Sequence, residues 1–258
     1  VKPAGETLEK WDCYKQPVGL HYSPWDNYLA TWAEPGDPCC YHFNRTYQNE
    51  PWLDFQWAQS GHDGKHIYHK VEGMYENEPV KANMNGEPTY EAMGGGRHRI
   101  GWSQGEDAWN QLMHGGTMGV IYGAVSLWQW KITRDEPEWE EWTDAPISWR
   151  EALHVEGGKY VGSISGVFDG YDFADMQKRP DLITGNKFLL ANEGVFYITY
   201  LESGGEILIK GVPEGLPFRW FNPVTGEFTN EGRTIKDSKY NAPGNKPWVL
   251  VIGEKKFE

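Results

Sequence analysis

The hydrophobic pattern of this 258-residue chain changes its period once, near Asp169. Before that residue, short apolar runs alternate with stretches of helical period. After it, strand-like runs follow one another with turn residues between them. Strands that alternate with helices are typical of a parallel sheet covered by helices, whereas strands joined by turns are typical of an antiparallel sheet. The pattern therefore predicts an α/β part followed by an all-β part.

The first part is predicted to contain four strand–helix units. Its predicted strands are residues 17–22, 53–58, 80–84 and 118–127, and its predicted helices are residues 65–77, 106–114 and, from a start at Ser148, 147–168. A closed (β/α)8 barrel needs eight such units and about 250 residues. We therefore expect the C-terminal half of a (β/α)8 barrel, with strands corresponding to 5–8, over residues 1–171.

The second part is predicted to be a small antiparallel β-sandwich, or a partial barrel, over residues 172–258. Asn192-Glu193-Gly194 and Ser203-Gly204-Gly205 supply turn chemistry between its strands. No helical period intervenes, which favours antiparallel pairing. The predicted strands are residues 188–191, 195–201, 206–212, 218–221 and 248–252.

The charge balance excludes two classes of partner. With 24 basic and 37 acidic residues the net charge is -13, which repels both nucleic acid and anionic membranes. The longest apolar stretch, residues 119–130, is shorter than the roughly 20 residues of a membrane span. We therefore expect a soluble globular protein, with no nucleic-acid or membrane partner.

The aromatic content has two interpretations that composition does not separate. The chain holds 14 Trp, 14 Tyr and 10 Phe, and rings with a polar edge suit the apolar face and hydroxyl rim of a sugar. A core rich in tryptophan would give the same composition.

Glu87 is the leading catalytic candidate. It follows the predicted strand at residues 80–84, and the end of a barrel strand is where catalytic groups face the cleft. Glycoside hydrolysis uses two carboxyl groups, about 5–5.5 Å apart for retention or 6.5–9.5 Å for inversion. The alternative is a solvated turn residue before Pro88.

Polar groups and aromatic rings also recur at the other predicted strand ends. Buried hydroxyls of a ligand need polar partners, and the face of a sugar needs apolar cover. The predicted substrate-binding residues are His21, Trp25, Gln59, His62, Tyr90, Tyr122 and Trp128.

No metal or cofactor is predicted. His62, His66 and His69 have a spacing that could align imidazoles on a helix, but Gly64 places His62 before the predicted helix, and no carboxylate completes a zinc pattern. The glycine run at residues 94–96 follows no apolar strand, so no phosphate-binding loop is present.

Several motifs together resemble the apiosidase-like glycoside hydrolases, and they follow one another in the order of that family. The matching segments are Asn49-Glu50-Pro51-Trp52-Leu53-Asp54-Phe55, Gln59-Ser60-Gly61-His62, Gly86-Glu87-Pro88-x-Tyr90-Glu91, Tyr122-Gly123 with Trp128-Gln129, and Trp220-Phe221-Asn222-Pro223-x-Thr225-Gly226.

The resemblance implies a retaining (β/α)8 hydrolase with a C-terminal β domain of collagen-binding type. Carried over by position, Glu87 becomes the nucleophile after the seventh barrel strand. His21 then follows the fifth strand, Gln59 and His62 follow the sixth, and Tyr122 and Trp128 belong to the eighth. The acid/base carboxylate of the family lies on the fourth strand, which this sequence does not include.

The sequence therefore predicts a retaining glycosidase that acts on a polysaccharide or its side chains and needs a complementary N-terminal half or a second chain. Half a barrel exposes strand edges, so these residues are not expected to persist as a lone monomer. The alternative is a non-catalytic carbohydrate-binding or scaffold protein. No signal peptide is visible; the substrate class would suit a secreted or periplasmic protein, and the localisation stays open.

Overall fold

The computed structural model describes residues 1–21, 47–59, 68–93, 100–135, 147–236 and 239–256, and at 69 and 70 it describes the backbone alone. By its internal contacts the chain divides into two compact units. The first unit comprises Val1–Ile100 and His114–His154, and the second comprises Gly101–Met113 and Val155–Glu258. The predicted domain limits, 1–171 and 172–258, stay a prediction, because compactness alone does not define an independently folding domain.

The first unit contains a four-stranded parallel sheet whose spatial order follows the chain. A parallel sheet in α/β order is what the alternating pattern predicts. Its strands are β1 (Gly19–His21), β2 (Phe55–Gln59), β3 (Ala82–Glu87) and β4 (Gly119–Val120).

The fourth predicted strand, residues 118–127, is wrong in its second half. β4 ends at Val120, and the chain turns into a one-turn helix at Val125–Trp128. The N–H of Val125 donates to the carbonyl of Glu91 at 3.1 Å, and Ala124 forms an isolated parallel bridge with Glu91. A continuous apolar run does not distinguish a strand from a short buried helix.

The α-helices that the structure describes are α1 (Lys2–Trp11), α2 (Tyr68–Tyr75), α3 (Trp102–Met113), α4 (Val125–Trp128), α5 (Trp149–Ala152) and α6 (Gly157–Phe168). The predicted helix at 147–168 is two helices, because the chain leaves helical geometry between Ala152 and Gly157. Its predicted start is confirmed: Ser148 caps α5, and Ser148 and Glu151 form a reciprocal capping box. None of the described helices has the length and apolar composition that a membrane crossing needs.

The second unit contains two antiparallel sheets. One has six strands in the order β11-β10-β13-β8-β7-β5 and the other has three in the order β12-β9-β6. The strands are β5 (Gln177–Lys178), β6 (Ile183–Thr184), β7 (Leu190–Asn192), β8 (Phe196–Leu201), β9 (Glu206–Ile209), β10 (Pro217–Asn222), β11 (Glu227–Arg233), β12 (Lys239–Asn241) and β13 (Trp248–Gly253).

The central strands of the six-stranded sheet are apolar on both faces. In β13, Val249 and Val251 belong to a cluster that includes Trp109 of α3, whereas Leu250 and Ile252 belong to a second cluster with residues of the three-stranded sheet. Because side chains alternate between the faces of a strand, each face has its own apolar layer. Continuous apolar runs such as β13 therefore mark a strand buried on both faces.

Candidate active site at the ends of the parallel strands

Three of the predicted site residues are the last residues of three neighbouring parallel strands. His21 ends β1, Gln59 ends β2 and Glu87 ends β3. In the sheet register Gln59 is paired with Glu87. Because parallel strands end at the same edge of a sheet, the three side chains meet there, as the sequence pattern indicated.

A bulge at Gly86 brings Glu87 opposite Gln59. Ala58 pairs with Asn85, but the next pair is Gln59 with Glu87, so the register shifts by one residue. A β-bulge of this kind re-aims the side chain that follows it. A Cβ atom at Gly86 would lie 2.0 Å from the Trp57 indole. Any residue other than glycine at this position would therefore clash with that ring.

The His21 imidazole joins the three strand ends. Its Nε2 lies 2.7 Å from Oε2 of Glu87 and 3.2 Å from Oε1 of Gln59. Both partners are acceptors, so Nε2 carries the hydrogen and donates to them. The ring stacks on Trp57 with 5.3 Å between centroids, and this contact fixes its plane. The side chain of Glu87 is 18% exposed, so its carboxylate is positioned but accessible.

Tyr90 is a second donor to Glu87. The phenol is hydrogen-bonded to that carboxylate, and the pKa of Tyr90 is raised by burial first, then by the Glu87 charge and the hydrogen bond. Its ring stacks on Trp128 with 6.2 Å between centroids. A Cβ at Gly123 would lie 2.5 Å from the Tyr90 ring, so this glycine makes room for it. Trp128 is 46% exposed and offers an open indole beside Tyr90.

Glu91 is a second carboxylate of the site that our residue-based prediction did not single out. It is fully buried and accepts a hydrogen bond from the Tyr122 hydroxyl. Its backbone N–H donates to the Gly123 carbonyl at 2.8 Å, which ties the segment after β3 to the segment after β4. The sequence did carry one indication of Glu91: it is the last residue of the matched motif that contains Glu87, four residues further along the chain. The Tyr122 hydroxyl is thus engaged with Glu91, and its role as a substrate contact stays a prediction.

Two predicted site residues, Trp25 and His62, lie outside the described residues, as do His66 and the glycine run at 94–96. The backbone of His69 is described, but its side chain is not. Within the parts of the chain that the structure covers, no group of three His, Cys, Asp or Glu side chains could hold a metal ion.

The parallel sheet with polar side chains at its carboxyl edge is similar to the folds of solved glycoside hydrolases. A glycoside hydrolase matches with a TM-score of 0.65 at 18% identity over 81% of this chain and 54% of its own. A family 5 glycoside hydrolase from Bacteroides vulgatus ATCC 8482 matches with the same TM-score and identity over 81% and 53%. At this identity the likeness concerns the fold alone, and the chain spans about half the length of these structures.

The chain belongs to the apiosidase-like family. The model of the apiosidase-like catalytic domain matches residues 1–175, which is more than half of the sequence. This match confirms the family that the sequence motifs indicated. No protein with a curated function matches the chain significantly.

Proposed function

We propose that this chain is part of a retaining glycoside hydrolase that acts on a polysaccharide or its side chains, with Glu87 as the nucleophile. The observation that carries this proposal is the convergence of His21 and Tyr90 on the Glu87 carboxylate at the end of β3. Two donors hold one carboxylate at a strand end, and a partly exposed indole, Trp128, lies beside the donor Tyr90. Rigid placement of a nucleophile is what glycosidase chemistry requires.

In this proposal Glu87 attacks the anomeric carbon and forms a covalent glycosyl-enzyme, while a carboxylic acid protonates the leaving oxygen. Water then cleaves the intermediate, and the acid, now deprotonated, acts as the base. The hydrogen bonds from His21 and Tyr90 orient the carboxylate and disperse its charge. The acid/base is assigned to a part of the barrel that precedes this sequence, as the family resemblance implies.

We further propose that the parallel sheet is half of a (β/α)8 barrel that a complementary N-terminal half or a second chain completes. Apolar side chains are exposed in α1 and beside the outer strand β4: Leu8 and Trp11 of α1 are 53% and 73% exposed, and Met118 and Ile121, which flank β4, are 46% and 39% exposed. Exposed apolar surface at sheet edges favours association. The two antiparallel sheets are proposed to form the β-sandwich, a C-terminal domain of collagen-binding type.

Mass measurement tests the barrel proposal. The residues 1–258 alone should self-associate or aggregate, and co-expression with a segment that carries the first four strands should give a stable 1:1 assembly. A monodisperse, stable monomer of residues 1–258 would overturn the proposal, because a solvent-exposed half barrel should not persist.

The hydrolase proposal is tested with Glu87→Gln in the assembled barrel. We expect turnover to fall at least about 1,000-fold while glycan binding is retained, because the amide keeps the shape but is not a nucleophile. Glu76→Gln is the matched control, since Glu76 is exposed outside the site and its substitution removes the same charge. Unchanged hydrolysis by Glu87→Gln would contradict the assignment. An apiose-containing side chain is the first substrate to assay, and family likeness alone supports that choice.

A non-catalytic carbohydrate-binding or scaffold protein is the second candidate. The open indole of Trp128, which is 46% exposed, favours it, because an exposed ring can bind a sugar without any bond being cleaved. Glycan binding without sugar release by the assembled wild-type barrel would support this candidate over hydrolysis.

A further inference from the structure

A second site candidate lies in the second unit, in a groove of about 500 Å³. The groove lies where three adjacent strands, β11, β10 and β13, approach one another at one end of the six-stranded sheet. It shares no residue with the site around Glu87. The residues that line it are Tyr171, residues 217–219, residues 231–233 and residues 253–255.

The groove concentrates positive charge in a chain of net charge -13. Arg219, Arg233 and Lys255 line it, together with two carboxylates, Glu231 and Glu254. One carboxylate is engaged, because Nη1 of Arg233 lies 3.6 Å from Oε1 of Glu254. The groove therefore holds one positive charge in excess, and the two carboxylates would repel a ligand that carries many negative charges.

Arg219 is the half-buried cation of the groove. Its guanidinium carbon lies 3.8 Å from the centre of the Phe228 ring, and Nη2 donates to the Tyr171 hydroxyl at 2.9 Å. Its Nε is excluded from solvent and has no hydrogen-bond acceptor. Among the residues that the structure describes, no carboxylate lies within salt-bridge distance of Arg219. A half-buried guanidinium is usually paired, because burial removes its hydration.

We propose that this groove binds a sugar that carries one carboxylate, a uronate unit of an acidic glycan. The carboxylate would meet the guanidinium of Arg219 and the ammonium of Lys255, because charge-assisted hydrogen bonds to Arg and Lys are the usual recognition of a carboxylate. Glu231 and Glu254 accept hydrogen bonds from sugar hydroxyls. A volume of about 500 Å³ lies within the range of small-ligand sites.

The proposal is independent of hydrolysis at Glu87, and binding tests it directly. The chain, assembled in its barrel, is titrated with methyl glucuronide and with methyl glucoside, which differ only in the carboxylate, and binding is followed by NMR. We expect saturable binding of the glucuronide and at least about tenfold weaker binding of the glucoside. Binding should weaken as ionic strength rises.

Two variants and one control locate the site. Lys255→Ala removes an exposed side chain and should leave the fold intact, and Arg219→Gln removes the half-buried positive charge; each should weaken glucuronide binding about tenfold or more. Lys246→Ala removes an exposed charge of the same unit outside the groove and should leave binding unchanged.

Three outcomes would overturn the proposal. The first is the absence of glucuronide binding, and the second is equal binding of glucoside and glucuronide, which would make the charge irrelevant. The third is tighter binding of a polyaspartate peptide than of glucuronide, which would make the groove a site for acidic peptides. The Glu87→Gln variant should bind glucuronide as wild type does, so failure of the hydrolase proposal is distinguishable from failure of this one.

Discussion

The imidazole of His21 donates to the carboxylate of Glu87 at 2.7 Å across the intervening strand β2. The two residues end strands that are not hydrogen-bonded to each other, and Gln59 at the end of β2 shares the same imidazole nitrogen at 3.2 Å. The His21 ring, at the end of β1, is thus hydrogen-bonded to the residues that end β2 and β3, at the edge of the sheet where the proposed chemistry occurs.

Replacing His21 should lower turnover more than substrate binding. His21→Ala removes a hydrogen bond to the proposed nucleophile, and a hydrogen bond to a charged group is worth about 1.5–3 kcal/mol, so kcat should fall about 10- to 100-fold with a smaller change in KM. Steady-state kinetics on the assembled barrel measure both constants.

The matched variant is His21→Gln, whose side-chain amide can still donate to Glu87. It should recover part of the kcat lost in His21→Ala. Equal losses in the two variants would mean that the ring packs on Trp57 without positioning the carboxylate.

Gly86→Ala should destabilise the first unit and displace Glu87. The added methyl group would lie 2.0 Å from the Trp57 indole, so the ring or the bulge must move. Overpacking of this kind costs about 1–3 kcal/mol. Chemical denaturation of the wild type and the variant measures the loss of unfolding free energy, and the proposed turnover should fall with it.

Gly162→Ala is the control for this substitution. Gly162 lies within α6, and a Cβ there would meet no atom within 4 Å. Because alanine favours a helix over glycine, Gly162→Ala should raise the unfolding free energy by about 0.5–1 kcal/mol. A loss of stability in both variants would mean that the close approach of Trp57 is not the cause.

Two of the three strand ends could be predicted from the sequence, because the apolar runs of β1 and β2 stop near His21 and at Gln59. β3 extends three residues past its predicted end at Met84 and includes Glu87, and two of its buried residues, Asn83 and Asn85, are polar. The bulge at Gly86 could not be predicted, because its cause is the ring of Trp57 on the neighbouring strand. Contacts between strands leave little signal in local sequence.

Strands β11 and β12 could not be predicted from the local sequence either. β11 is polar and largely exposed, and its pairing depends on hydrogen bonds to β10. β12 has three residues, of which only Tyr240 is buried. Neither segment carries the alternation that predicts a strand, because their place in a sheet is set by a partner strand. The central strands β8 and β13 could be predicted because they are apolar on both faces.

The stability of the chain should depend on the ionisation of Tyr90 at alkaline pH. The pKa of Tyr90 is raised, so the folded state binds the phenol proton more tightly than the unfolded state does. The resulting stability is complete below the ordinary tyrosine pKa of about 10 and is lost as the pH rises above it. Tyr90→Phe should therefore lose less stability than the wild type between about pH 9 and pH 12.

Glu87→Gln provides the matched test of the cause. The charge of Glu87 is the second cause of the raised pKa of Tyr90, after burial. Removing that charge should therefore make the alkaline loss of stability smaller. Denaturation curves across this pH range for wild type, Tyr90→Phe and Glu87→Gln give the comparison. Identical alkaline profiles for wild type and Tyr90→Phe would contradict the prediction.

Removing the Tyr122 hydroxyl should destabilise the segment that carries the second carboxylate. The hydroxyl donates to the fully buried carboxylate of Glu91, and loss of one donor to a buried charged group costs about 1–3 kcal/mol. Tyr122→Phe should therefore lower the unfolding free energy by that amount. Tyr14→Phe removes a hydroxyl from a side chain that is 80% exposed and should change stability by less than about 0.5 kcal/mol.

Because Glu91 N–H is bonded to the Gly123 carbonyl beside the ring of Tyr90, Tyr122→Phe should also lower kcat modestly. If Tyr122→Phe and Tyr14→Phe were equally stable, Glu91 would not depend on the Tyr122 hydroxyl for its place beside the site.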